Sequence, residues 1–233
     1  MENNPPNRAH LSELLQYLAT STEDANGRIP TLNELSAQLG ISTATLREQL
    51  EVARMMGIVE VRPKTGIRKL AYSFRPAVTT SVAYAVSQEA SNFNEISDLR
   101  KHIEAAYFIE AAQQLTLTDL ESLQKAVSRA IEKLQPGSFQ IPSAEHREFH
   151  LTIYRHVDNV FMTGILEAYW DIYRASGLEL YPDVQYLQKV WQDHARILDL
   201  IRKKDFAQGL SVLMEHMDLL KQREKATFTQ SFE

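Results

Sequence analysis

Four of the seven histidines sit at spacings that can bring their rings together. His146 and His150 are four residues apart, so on a helix they project from one face, one above the other. His194 and His216 flank Asp205 at 11 residues on either side. If Asp205 caps the second of two antiparallel helices, both rings lie level, about 16 Å from the turn at 1.5 Å per residue. Three helices would then point four imidazoles into one pocket. Neutral imidazole suits Zn, Ni, Cu or Fe and disfavours Ca and Mg. Spacing alone leaves open the alternative that these are unrelated core and surface histidines. His10, His102 and His156 have no partner at a telling spacing and read as structural or surface residues.

Arg100 and Glu104 also stand four apart. On a surface they are an ordinary ion pair worth a few tenths of a kcal/mol. Inside a bundle, the planar fork of Arg100 suits both oxygens of a carboxylate ligand. Tyr154 and Tyr173 are candidates for the same pocket and equally for the core, whereas Trp170 and Trp191 read as core.

A second group of chemistry-bearing residues is cationic. Residues 47–75 hold seven basic side chains (Arg47, Arg54, Arg62, Lys64, Arg68, Lys69, Arg75) against Glu48, Glu51 and Glu60. The net charge of −5 therefore hides an asymmetry: residues 1–75 carry nine basic and eight acidic residues, the remainder 16 and 22. A basic patch on an acidic protein suits a small DNA-reading head on a different kind of body.

The elements around these residues fit that division. Thr31 caps a predicted helix bearing Leu32, Leu35 and Leu39 and ending at Gly40. Ser42 and Thr43 open a second, with Leu46, Leu50 and Ala53 on one face up to Gly57. Residues 58–61 and 67–71 read as two strands joined by the turn Arg62-Pro63-Lys64-Thr65-Gly66. With an amphipathic first helix over 10–20, this is a winged helix-turn-helix with a small β wing. Pro76 and the lack of a helical stripe place the linker over 72–80, giving a DNA-binding domain at 1–75 and a second domain at 76–233. From Ser81 onward the pattern is helical, with breaks near 115–118, 136–142, 158–159, 177–183 and 204. The fold class is mainly α, the body an antiparallel all-α bundle of roughly six or seven helices, one of them capped by Thr118.

Composition sets the outer limits. The absence of Cys excludes disulfides and thiolate metal sites. No apolar run is long enough to span a bilayer, and MENNPPNRAH is not a signal peptide, so a soluble cytoplasmic protein without membrane contact is expected. The first seven residues read as disordered.

These motifs together resemble the GntR family of transcription regulators, in its FadR subfamily with a C-terminal FCD ligand-binding domain. Ile29-Pro30-Thr31-Leu32-Asn33-Glu34-Leu35 resembles the family's LPSEREL, and Leu39 to Glu48 resembles LGVSRxTVRE. Met56-Gly57-Ile58-Val59 matches its xGLV and Gly66 the last wing glycine. In the body, Arg100 to Glu104 resembles RxxLE, His146 to His150 resembles DxxFH, and His194 and His216 match the two later metal-binding histidines.

The resemblance implies a homodimer that reads a palindromic operator in double-stranded DNA and is controlled by a small carboxylate metabolite bound near a divalent transition metal, with Zn or Ni expected. It implies metal ligation by His146, His150, His194 and His216, and an effector pocket involving Arg100, Glu104, Tyr154 and Tyr173. The DNA-contacting set becomes Thr31, Asn33, Ser42, Thr43, Thr45 and Arg47, with Arg62, Lys64, Gly66, Arg68 and Lys69 on the wing. The chain departs from the pattern where Asn33 and Thr43 replace arginines, Lys64 replaces a wing glycine, and His146 replaces an aspartate. That last exchange makes a set of four histidines, or leaves His146 uncoordinated with water in its place.

A metalloenzyme using the same histidines needs an open coordination position and a general base. Only Glu145 and Glu148 are near in sequence, and the DNA head argues against it, so the chain reads as a non-enzyme. A direct metal sensor differs from the effector-controlled regulator only in which ligand varies.

Overall fold

A computed structural model describes residues 10–21, 28–62, 66–137, 139–177 and 183–230, with side chains up to 219. The start of the chain, most of the polar run 21–28 and the wing tip with Lys64 lie outside the described residues. The chain divides into two compact units, Met1–Thr80 and Ser81–Glu233.

In the first unit, α1 (Glu13–Thr20), α2 (Leu32–Leu39) and α3 (Thr43–Met55) precede the antiparallel strands β1 (Val59–Arg62) and β2 (Gly66–Lys69). Each helix start has a local cause. Ser12, Thr31 and Ser42 accept hydrogen bonds from backbone N–H groups of the first turn, and Thr31 forms a reciprocal capping box with Glu34. Gly40 then ends α2 in the left-handed conformation at φ 70°. Leu14, Leu18, Leu35, Leu46, Leu50, Ala53, Val59 and Ile67 close one core. Gln49 of α3 ties down α1, accepting from the Leu14 N–H at 2.9 Å and donating to Glu13 at 2.6 Å. Gly57 turns α3 into β1 at φ 68°, and a Cβ there would come within 2.5 Å of Pro76 Cγ. Both facts exclude any other residue without rearrangement.

The expected non-helical linker over 72–80 needs correction. Helix α4 runs from Arg75 to Gln88. Proline in a first helical turn removes only a donor that has no intrahelical acceptor, so Pro76 starts this helix instead of breaking it. The missing apolar stripe is real, because α4 buries none of its side chains fully. It sets only partly buried Val82, Ala83 and Val86 against a cluster of Phe93, Ile96, Tyr169, Trp170, Ile172 and Tyr173.

The second unit continues with α5 (Asn92–Gln113), α6 (Leu117–Lys133), α7 (Ser143–Ile153), α8 (Val160–Ala175), α9 (Val184–Arg202) and α10 (Phe206–Gln230). The α9–α10 hairpin turns at Lys204 with φ 59°. Asp205 accepts from the Gln208 N–H at 3.2 Å, the cap on which the level placement of His194 and His216 depended. Gly209 brings α10 close to α5, since a Cβ would meet the Phe108 ring at 3.2 Å. The bundle core holds Phe108, Leu123, Phe149, Ile153, Tyr154, Leu166, Trp191, Ile197 and Leu213.

The cap of α6 is Thr116, not Thr118. Its partner Asp119 accepts from the Thr116 N–H at 2.9 Å and hydroxyl at 2.6 Å, and also from Arg155 at 2.8 Å and His156 at 2.7 Å. Burial works against the charge, but these hydrogen bonds prevail and hold the carboxyl well below the usual carboxylate range. A depressed folded-state pKa stabilises above the unfolded value near ~3.9 and is lost as pH falls below it. We expect Asp119→Ala to cost on the order of 2–4 kcal/mol, the sum of a cap and a charge-assisted hydrogen bond. The variant should also show a smaller loss of stability between neutral pH and pH ~3 in denaturant titrations than the parent.

Candidate metal and ligand site

The candidate site is built from four helices. α5 supplies Arg100 and Glu104, α7 supplies His146 and His150, and α9 and α10 supply His194 and His216. One nitrogen from each of the four imidazoles lies within 4.8 Å of the others. His150, His194 and His216 are buried and His146 is partly so. Nε2 of His150 and Nε2 of His194 are 3.2 Å apart. Two nitrogens bound at about 2.0–2.1 Å to one tetrahedral ion stand roughly 3.3 Å apart, so this pair fits a shared ion.

The protonation states suit ligation. Burial, reinforced by the neighbouring rings and Arg100, holds His146, His194 and His216 well below the ordinary imidazole value. Burial also lowers His150, against the pull of Glu104. All four are therefore neutral near pH 7, which is the metal-binding form. Nε2 of His146 and Nδ1 of both His194 and His216 are buried without a hydrogen-bond partner among the described residues. Buried donors and acceptors are costly to leave unpaired, so these nitrogens fit a bound ion or water.

Glu104 sets the orientation of His150. Its Oε2 meets His150 Nδ1 at 2.7 Å, and its Oε1 accepts from Arg100 Nε at 2.5 Å. Burial would raise this carboxyl, but the Arg100 charge and the His150 contact bring its pKa down to about 2. An ionised Glu104 requires the proton on His150 Nδ1, which leaves the Nε2 lone pair facing the other imidazoles. This is the carboxylate–histidine arrangement that orients metal ligands.

Arg100 has one donor to spare. Its guanidinium lies 4.4 Å from the Tyr169 ring centroid and 4.6 Å from that of Trp170. Nη2 is buried and has no acceptor among the described residues. Ser97, Arg100, His146, Tyr169, Tyr173, Tyr186, His216 and Met217 line a cavity of about 30 Å³ beside the histidines. Of the expected effector residues, Arg100 and Tyr173 reach this cavity. Glu104 and Tyr154 do not line it: Glu104 sits behind His150, and the Tyr154 hydroxyl donates to the Glu104 carbonyl at 2.9 Å. Sequence reasoning missed Ser97, Tyr169, Tyr186 and Met217. Helical spacing carried a signal for two of them, since Ser97 is three residues before Arg100 and Tyr169 four before Tyr173.

On the head, Asn33, Thr45 and Arg47 are exposed and Thr43 is partly so. Arg47 has no hydrogen bond or ion pair among the described residues, whereas Arg54 is held by Glu51 at 2.6 Å. The hydroxyls of Thr31 and Ser42 are engaged in capping α2 and α3, and Ser42 also meets the Thr45 hydroxyl at 3.0 Å. On the wing, Glu60 lies between Arg62 at 2.9 Å and Arg68 at 3.6 Å, and Gly66 opens β2 at φ 82°. Lys69 is 3.4 Å from the Ser21 carbonyl. No described helix is long and apolar enough to cross a membrane.

A winged helix-turn-helix joined in one chain to an all-α unit with a buried histidine cluster is the arrangement expected of a DNA-binding regulator. Comparison with known proteins agrees. Residues 95–219 match the FCD domain. The Uxu operon regulator of Haemophilus influenzae is 23% identical over 89% of this chain and 77% of its own length. The Uxu operon transcriptional regulator of Escherichia coli is 27% identical over 84% and 77%. The solved Streptococcus agalactiae GntR has the same fold, with a TM-score of 0.64 at 18% identity, covering 90% of this chain and 96% of that one. The chain belongs to the FCD-domain family of GntR transcription regulators. The relatives are named as regulators, not enzymes, in keeping with the non-enzymatic reading.

Proposed function

We propose that this regulator is a cytoplasmic homodimer whose affinity for a palindromic operator is controlled by a small organic acid bound beside a transition metal. His150, His194 and His216 would hold the metal, with His146 as the fourth ligand in place of the family's aspartate. Four neutral nitrogens favour Zn or Ni over harder ions. The observation that carries the reading is the cluster of four imidazole nitrogens within 4.8 Å of one another, beside a cavity lined by His146, His216 and Arg100, whose Nη2 has no acceptor among the described residues. When bound, the ion supplies a positive centre for one carboxylate oxygen, and Arg100 donates to the other.

The cavity of about 30 Å³ takes an ion or a water. An acid of several carbons enters only by displacing the lining side chains, and regulation requires that it bind the DNA-competent and DNA-incompetent forms unequally. Arg100→Lys tests this role, because lysine keeps a cation beside Glu104 but loses the fork. Among short mono- and dicarboxylates, at least one should bind wild type and bind the variant about tenfold more weakly at unchanged metal content. Equal affinities would remove Arg100 from the site.

The small cavity also favours a second reading, direct metal sensing. In that case added Zn or Ni alone changes DNA affinity, and carboxylates have no effect.

For DNA, we place Thr43, Thr45 and Arg47 in the major groove with Asn33 nearby, and Arg62, Lys64, Arg68, Lys69 and the Gly66 backbone against phosphate or the minor groove. Thr31 and Ser42 serve by fixing the helix N-termini. Arg47→Ala should cost roughly 1–3 kcal/mol on a selected operator and narrow its margin over random DNA. An unchanged ratio in fluorescence anisotropy would contradict the role.

A further inference from the structure

A larger groove lies on the outer side of the same aromatic wall. Ser143, Arg147, Leu151 and Arg155 of the α7 side face Trp170, Tyr173 and Arg174 of α8 across about 650 Å³. That volume is ordinary for a small-molecule site. Its polar groups are unbalanced in one direction. Arg155 is matched by Asp119, and Glu148, the acidic residue of the lining, is matched by Arg129. Arg147 and Arg174 have no acidic partner among the described residues. Nε of Arg147 and Nε1 of Trp170, both on lining residues, are buried donors without an acceptor among the described residues. Two uncompensated guanidinium groups, one of them with a buried unpaired Nε–H, on the lining of one groove call for an occupant rich in acceptors and negative charge.

We propose that this groove is a second ligand site, distinct from the histidine cavity, for a small metabolite with enough anionic oxygens to engage both guanidinium groups. Carboxylates and phosphates share that chemistry. Leu151 and the rings of Trp170 and Tyr173 offer apolar cover for the carbon frame. The site does not depend on a metal, but it adjoins the histidine cluster. The Trp170 ring lies 4.8 Å from His146 and 5.4 Å from His150, so one aromatic side chain separates the two sites.

The test is calorimetric titration of the full-length protein with tricarballylate and, separately, with glycerol 3-phosphate, following tryptophan emission in parallel. At least one should bind with one site per chain and alter the emission. Arg147→Gln/Arg174→Gln should weaken it by about tenfold or more while leaving metal content unchanged. Tricarballylate alone would identify a carboxylate site, and glycerol 3-phosphate alone a phosphate site. Arg174 is exposed, so Arg174→Gln alone preserves the test if the double variant folds poorly. Three results would overturn the proposal. Neither anion binds up to about 10 mM, a Kd range too weak for a built site. Binding ignores both variants. Or the double variant dissociates the protein in sedimentation without affecting the anions, which would make the groove a contact with a second copy of this chain.

Discussion

Replacing His150 with alanine is expected to weaken metal binding by well over 100-fold, beyond the loss typical of an outer-shell partner. His150 is fully buried, its Nε2 lies 3.2 Å from that of His194, and its Nδ1 is fixed by Glu104. Nothing else on α7 can replace it. Glu145 is committed to Lys133 at 2.8 Å, and Glu148 to Arg129. Titration with Zn against a competing chelator measures the effect. His150→Ala with near-parental affinity would mean that the ion, if any, sits elsewhere. His146→Ala separates the two versions of the set: a comparable loss makes His146 a ligand, and a small one indicates water in its place.

The second large effect is expected at Glu104. Its removal leaves Arg100 charged, buried and without its acceptor, and frees His150 to rotate. Stripping one partner from a buried pair costs about 3–5 kcal/mol, so Glu104→Ala should lower bundle stability by that order in urea unfolding. Glu104→Gln keeps the shape and an acceptor for either Arg100 or His150, so it should retain more of the stability while weakening metal affinity about 10–100-fold. If Glu104→Gln binds metal as wild type does, the carboxylate does not set the His150 tautomer.

Much of this site was legible before the fold because helical periodicity is strict. Four residues separate His146 from His150 and 11 separate Asp205 from each later histidine, and those offsets alone bring the rings level once α9 and α10 pair. What stayed hidden is tertiary. Glu104 and Tyr154 look like pocket residues by type, yet which side of α5 and α7 faces the cavity depends on how four helices pack. Tyr186 lies on α9 eight residues before His194, a two-turn spacing too common along a helix to single it out. The head was legible through its caps and Gly57. The helix through Pro76 was not, because α4 has no apolar stripe to announce it, and the cap of α6 was misplaced by two residues because Thr116 and Thr118 offer the same chemistry. The α7–α8 groove left no sequence signal, since Arg147, Arg155 and Arg174 look like any solvated arginines until their partners are counted.

The central claim is that the four histidines hold a transition metal, and elemental analysis of untagged protein tests it most directly. About one Zn or Ni per chain is expected, removable by a strong chelator with a fall in Tm and restored on re-addition. Metal-free protein whose Tm ignores added Zn and Ni would contradict the account.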